Sequence, residues 1–423
     1  MHVGSDLNQC LQYSNKDFLE ISSHACSFSF QRLEKGQFYI FGRIGLQKGS
    51  SVGEGNGETW SSQLLMDAQN KPQILEHLHK SLTLTLYDCK WIPGSAKFIT
   101  LGSYARNTGC LQVYELDGPD LKVVKESEKK LSFKCGTFGA SSLAERRLAT
   151  GNFGGEVQIW DLENTSQPIF SAQAHQSIVN AIDGCGGQAK GYGAPELLTC
   201  GRDGCVRVWD VRQQDAPVAA FEPADLNNIR DCWCVAFGNS YNDEERCVLA
   251  GYDNGDVKMF DLRMNKVRWE TNVKNGVCGV QFDRKDISMN KFVVTCLEAQ
   301  FHVFDARTQH PKKGFASVSE KITAGATVWG CHHLPQNREV FMVAAGDGNL
   351  YLYKYHYPDQ RKIKDHDGME LGVAGSVEML NYKNLSSQPI AGFDWSPDKE
   401  GLFACVAFDQ CVRVGITTKL NKV

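Results

Sequence analysis

Residues 201–212 read GRDGCVRVWDVR. A Gly-Arg-Asp-Gly turn leads into the alternating run Cys205-Val206-Arg207-Val208-Trp209. Successive strand residues face opposite ways, so Val206 and Val208 share one face and Cys205, Arg207 and Trp209 the other. Asp203-Gly204 is a hairpin signal, because glycine accepts the positive φ that such a turn requires. The same pattern returns at residues 151–163 (GNFGGEVQIWDLE) and 251–263 (GYDNGDVKMFDLR). Weaker copies end at Tyr114-Glu115, Phe304-Asp305, Tyr353-Lys354 and Val414-Gly415. The anchors Tyr114, Trp160, Trp209, Phe260, Phe304, Tyr353 and Val414 stand 44 to 61 residues apart.

A strand ending in Trp-Asp at this period marks a WD40 repeat, in which four strands build one blade. Seven anchors in register predict an all-β, seven-bladed WD40 β-propeller over residues 66–423. Residues 168–175 (PIFSAQAH) and 72–79 (PQILEHLH) align. In the internal copy the segment is the outer strand of a blade. At the start of the domain no blade precedes it. It is therefore expected, near residues 73–78, to serve as the outer strand of the last blade beside residues 411–417, closing the ring and removing free sheet edges. Residues 1–65 carry no copy of the repeat, and residues 49–62 (GSSVGEGNGETWSS) read as linker. They are expected to be a disordered extension lying before a native start at Met66, with residues 38–41 (FYIF) as one short strand lacking an evident partner. Residues 355–376 form a long connection after Tyr353, of the kind that is commonly disordered or functional.

The net charge of −4 argues against a general nucleic-acid binder. No apolar run approaches the ~20 residues of a membrane span, and the N-terminus lacks a signal-peptide pattern. The 16 cysteines include no Cys-x-x-Cys pair and read as reduced structural thiols of a cytoplasmic protein. Asn164 and Asn384 head glycosylation sequons that carry no meaning there. The Gly-rich residues 184–193 lack the order of a phosphate-binding loop and read as a hairpin connection.

No enzyme, cofactor or metal is expected. Cys331-His332-His333 is the one metal-like cluster. Alternation lets only two of its members share a face, short of the three or four ligands that zinc takes. His175, Asp203 and Trp209 look like the corner histidine, turn aspartate and strand tryptophan that WD40 blades link through buried hydrogen bonds. Trp160 and Asp253 are placed in the same kind of network. Aligned inner strands put Tyr87, Trp233, Cys278, Trp329 and Ala391 at one position near a rim. Tyr87, Trp233 and Trp329, with Arg230 and Asp231 beside them, form a candidate protein-binding rim, since Trp and Tyr dominate interface hot spots. The competing reading packs these aromatics between blades.

From Met66 to Val423 the chain closely resembles one WD40 family, the Monad-type proteins, also described as axonemal dynein assembly factors. The resemblance is carried by residues 134–140 (KCGTFGA), 230–233 (RDCW), 282–291 (FDRKDISMNK), 308–320 (TQHPKKGFASVSE), 334–339 (LPQNRE), 372–377 (GVAGSV) and 418–423 (TKLNKV). It implies a non-enzymatic cytoplasmic adaptor associated with a prefoldin-like co-chaperone complex, AAA-type ATPases and a heat-shock chaperone. The implied clients are axonemal dynein heavy chains, and a link to apoptosis is also described. A second reading rests on Arg212, Arg263 and Arg307. Each closes a Trp/Phe-Asp-x-Arg ending that resembles the docking motif of cullin-type ubiquitin-ligase receptors.

Overall fold

The computed structural model describes residues 71–423, except 187–195, 214–215, 241–243 and 323–324, together with the backbone of short strands between Leu11 and Tyr39. Two units are distinguished, residues 1–66 and 67–423. In the first, Leu11–Ser14, Phe18–Ser23, Cys26–Arg32 and Phe38–Tyr39 form an antiparallel meander in sequence order. The strand expected without a partner therefore has one, with Phe38 opposite Arg32 and Tyr39 opposite Gln31. The remainder of residues 1–65, on which the expectation of a disordered extension falls, lies outside the described residues.

The second unit is built of seven four-stranded antiparallel sheets. Their first strands are Thr85–Trp91, Phe133–Thr137, Val179–Gly184, Cys232–Gly238, Val277–Phe282, Val328–Leu334 and Ile390–Trp395. Each first strand lies against the first strand of the next blade, and the seventh lies against the first, so the ring closes around these inner strands. Gln73–Ser81 completes the seventh blade. It runs antiparallel to Cys411–Thr418, with Ser81 opposite Cys411 and Gln73 opposite Thr418.

Because each blade is sandwiched between two others, both faces of its middle strands are buried. Blade 3 shows this directly. Val206 and Val208 pack with Cys232, Val235 and Phe237 of blade 4. Trp209, on the opposite face, packs with Ala149, Val157 and Ile159 of blade 2. The core is accordingly divided into seven apolar clusters, one in each interface between neighbouring blades. The turn that announced the repeat takes the geometry its residues demand. Gly204 has φ +71, and a Cβ there would stand 2.7 Å from the Arg230 carbonyl oxygen.

The long connection lies within blade 6, between its third and fourth strands, Asn349–His356 and Ser376–Asn384, and is an ordered arm. Lys362–Lys364 pairs with Glu370–Gly372 as a hairpin. Arg361 Nε donates to Asp305 Oδ2 at 2.8 Å, and Arg361 Nη1 to Asn290 Oδ1 at 3.2 Å. His310 Nε2 and Asp365 Oδ2 meet at 3.2 Å. These contacts bind the arm to blade 5.

Candidate functional site

The buried hydrogen-bond chain of blade 3 is complete. Trp209 Nε1 donates to Thr199 Oγ1 at 3.0 Å, Thr199 Oγ1 meets His175 Nε2 at 3.0 Å, and His175 Nδ1 meets Asp203 Oδ1 at 2.8 Å. With Nδ1 protonated, donation runs one way along the chain from the indole to the carboxylate. Thr199 is the member that sequence reasoning missed. Its signal is its place directly across the strand pair from Arg207, between the turn and the Trp-Asp ending. Burial raises the Asp203 carboxyl. The hydrogen bond and charge of His175, with the amides of Cys205 and Gln176, outweigh that and hold it well below the ordinary carboxylate range. The His-Asp pair is thus fully used in holding the blade. In blade 2 the chain is shorter: Trp160 Nε1 donates to Thr150 Oγ1 at 2.9 Å, and Gly154 stands where the turn aspartate would be. Asp253 requires correction. Ala250 and Phe260 replace the threonine and tryptophan in blade 4, and Asp253 Oδ1 is buried without a hydrogen-bond partner. Burial raises this carboxyl, against the lowering charge of Arg230.

The metal-like cluster is part of the wall between blades. His333 Nδ1 lies 2.9 Å from Gln281 Oε1, and the His332 ring lies 5.2 Å from that of Phe393. Burial pushes both imidazoles down to about 3, which leaves them neutral. Among the described residues, no group of three or more His, Cys, Asp or Glu could hold a metal ion. The described cysteines are free thiols, and all but Cys278 are buried.

The rim is built by one repeated irregularity. Every inner strand shifts register near its start: between Leu86 and Asp88, Phe133 and Cys135, Val179 and Ala181, Cys232 and Cys234, Val277 and Gly279, Val328 and Gly330, and Ile390 and Gly392. A bulge leaves one residue out of the ladder and re-aims its side chain. The residues left out are Tyr87, Lys134, Asn180, Trp233, Cys278, Trp329 and Ala391. All seven are half-buried. The five aligned from sequence are therefore equivalent, and Lys134 and Asn180 complete the set.

Their surroundings differ. Trp233 lies over the backbone entering blade 5, where a Cβ on Gly276 would stand 3.0 Å from its ring, and its Nε1 is buried with no hydrogen-bond partner. Trp329 lies against Gly346, in a turn of its own blade. Trp233 thus packs between blades on one side, and both tryptophans are half-exposed at the rim. Asp231 pairs with Arg202 at 3.6 Å, and its carbonyl accepts from the Asp253 amide at 3.0 Å. Arg230 is exposed. Tyr87 contacts Phe153 and Phe408, with ring centroids at 5.2 and 6.2 Å.

The three Arg-terminated endings are not alike. Arg212 folds onto its own Asp210, with Nη2 to Oδ2 at 2.7 Å. Arg307 donates to the Ser288 carbonyl at 3.5 Å, and Asp305 beside it is enclosed and paired with Arg361. Arg263 is exposed.

Comparison with known proteins adds a family. Residues 166–210 match the WD domain, G-beta repeat. The chain is 91% identical over 358 residues to the dynein axonemal assembly factor 10 of Chlamydomonas reinhardtii, covering 85% of this chain and all of that protein. It is 60% identical over 358 residues to the human protein of that name, again covering all of it. The similarity reaches 58% over 356 residues in the Danio rerio protein, 99% of which is covered.

Proposed function

The chain belongs to the dynein axonemal assembly factor 10 family of WD-repeat propellers, and on that premise we propose that it is a non-enzymatic adaptor in the assembly of axonemal dynein. The observation that carries the reading is full-length similarity to relatives so named. The absorption of the His-Asp pair and the Cys-His-His cluster into the fold's own packing supports the non-enzymatic part. In finer terms, the adaptor joins a prefoldin-like co-chaperone complex, with its AAA-type ATPases and heat-shock chaperone, to dynein heavy chains in the cytoplasm. The family resemblance motivates these partners. A rigid ring suits the task, because one face can hold a co-chaperone while the bulged rim meets a client.

The test is affinity purification of the full chain from ciliating cells, beside a Trp233→Ala/Trp329→Ala variant of equal melting temperature. Prefoldin-like subunits and dynein heavy chains should be enriched with the wild type and depleted with the variant. Enrichment of a cullin adaptor in their place, lost on Arg263→Ala, would instead favour the ubiquitin-ligase reading. Of its three arginines, Arg263 alone is exposed with no side-chain hydrogen bond or ion pair among the described residues.

A further inference from the structure

Blade 2 departs from its neighbours in one turn. Asn152-Phe153-Gly154-Gly155 stands where blade 4 has Tyr252-Asp253-Asn254-Gly255. Asn152 does the capping. Its Oδ1 accepts from the amides of Gly154 at 2.9 Å and Glu156 at 3.0 Å, and its Nδ2 donates to Glu156 Oε2 at 2.8 Å. The turn makes no demand for phenylalanine at 153, yet that ring is present and 39% exposed.

Phe153 lies 5.2 Å from Tyr87, centroid to centroid. On Tyr87 also rests Phe408, 37% exposed in the corresponding turn of blade 7. Three rings from blades 7, 1 and 2 therefore make a continuous aromatic surface on the rim, the kind of patch that marks an interaction site. Two donors border it. Lys134 Nζ stands 5.6 Å from the Tyr87 centroid. Among the described residues, neither Lys134 Nζ nor the Tyr87 hydroxyl has a hydrogen-bond or ion-pair partner. Burial raises the Tyr87 phenol, so it stays a neutral donor. An aromatic wall with two unused donors, one of them cationic, complements an apolar side chain beside a carboxylate.

We propose that Tyr87, Phe153, Phe408 and Lys134 form a docking site for a short acidic-apolar segment of a partner protein. A large apolar side chain of the segment lies on the three rings, and a neighbouring Asp or Glu carboxylate accepts from Lys134 and Tyr87. The inference rests on the adaptor reading and gives it a second station on the rim, apart from Trp233 and Trp329.

The experiment is selection of a random twelve-residue displayed peptide library on the immobilised full chain, with counter-selection on Phe153→Asp. Synthetic versions of the selected peptides are then titrated by fluorescence anisotropy. Phe153→Asp places at this position the residue that blade 4 carries there, Asp253, and its melting temperature should match the wild type. Selected peptides should carry Asp or Glu next to Leu, Phe or Trp. Phe153→Asp and Lys134→Glu should each weaken binding by at least about tenfold. A peptide with its acid changed to Lys should bind Lys134→Glu better than it binds the wild type. Selection of no acidic peptide, or equal affinity for the wild type and both variants, overturns the proposal. So does binding abolished by Trp233→Ala and untouched by Phe153→Asp, which would move the site across the rim. None of these results alters co-purification of dynein chains by the full chain, so the two readings fail separately.

Discussion

The hydroxyl of Thr199 stands between two buried rings, accepting from Trp209 Nε1 and meeting His175 Nε2, both at 3.0 Å. Thr199→Val keeps the shape and removes both bonds. Each buried polar group so orphaned costs about 1–3 kcal/mol, and urea denaturation should show a loss of that order or its double. At the far end of the chain, Asp203 gives stability a pH dependence. Its folded-state pKa is held below the unfolded value of ~3.9. Its contribution is therefore present above about pH 4 and drains away as pH falls towards the folded pKa. The gap in unfolding free energy between wild type and Asp203→Asn should stay flat from pH 7 to pH 5 and close below about pH 4. A gap constant to pH 3 would contradict the assignment. His175, Asp203 and Trp209 were legible because each is a rare residue at a fixed offset from the Trp-Asp ending. Thr199 was not, since threonine is an ordinary strand residue. Asp253 misled because its turn looks alike, while it stands one position before the place of Asp203, which Asn254 holds, and Ala250 and Phe260 replace the threonine and tryptophan.

At the scale of the element, the repeat gave away the strands, because alternation and turn glycines act locally. What sequence left open was held by contacts distant in the chain. The arm at residues 355–376 has charged composition and no period, and its anchors are Asp305, Asn290 and His310, some 50 to 70 residues away. Arg361→Ala would leave the enclosed Asp305 carboxylate with the Arg307 amide as its remaining donor, 3.0 Å away. The variant should lose about 1–3 kcal/mol in urea denaturation. Amide exchange should rise in Lys362–Lys364 and Glu370–Gly372 while the blade strands keep their protection. Unchanged exchange in the hairpin would mean that Arg361 does not hold it. The bulges behave likewise. Five of the seven rim positions could be aligned from aromatic and small residues, but Lys134 and Asn180 share no residue type with them. Only the register shift common to all inner strands identifies them.

The whole molecule is a closed ring whose seven apolar clusters lie between blades. Closure leaves no blade able to move without exposing two clusters, so the ring is suited to presenting fixed surfaces. Its rim carries Trp233 and Trp329 at blades 4 and 6, and Tyr87, Phe153 and Phe408 with Lys134 at blades 7, 1 and 2. The most direct measurement is complementation of ciliated cells lacking the endogenous protein, with dynein heavy chains quantified in isolated axonemes. The full chain should restore them, and the Trp233→Ala/Trp329→Ala variant, folded to the same melting temperature, should not. Full restoration by that variant would remove the rim from the account, and no effect of the wild-type chain on axonemal dynein would contradict the adaptor function itself.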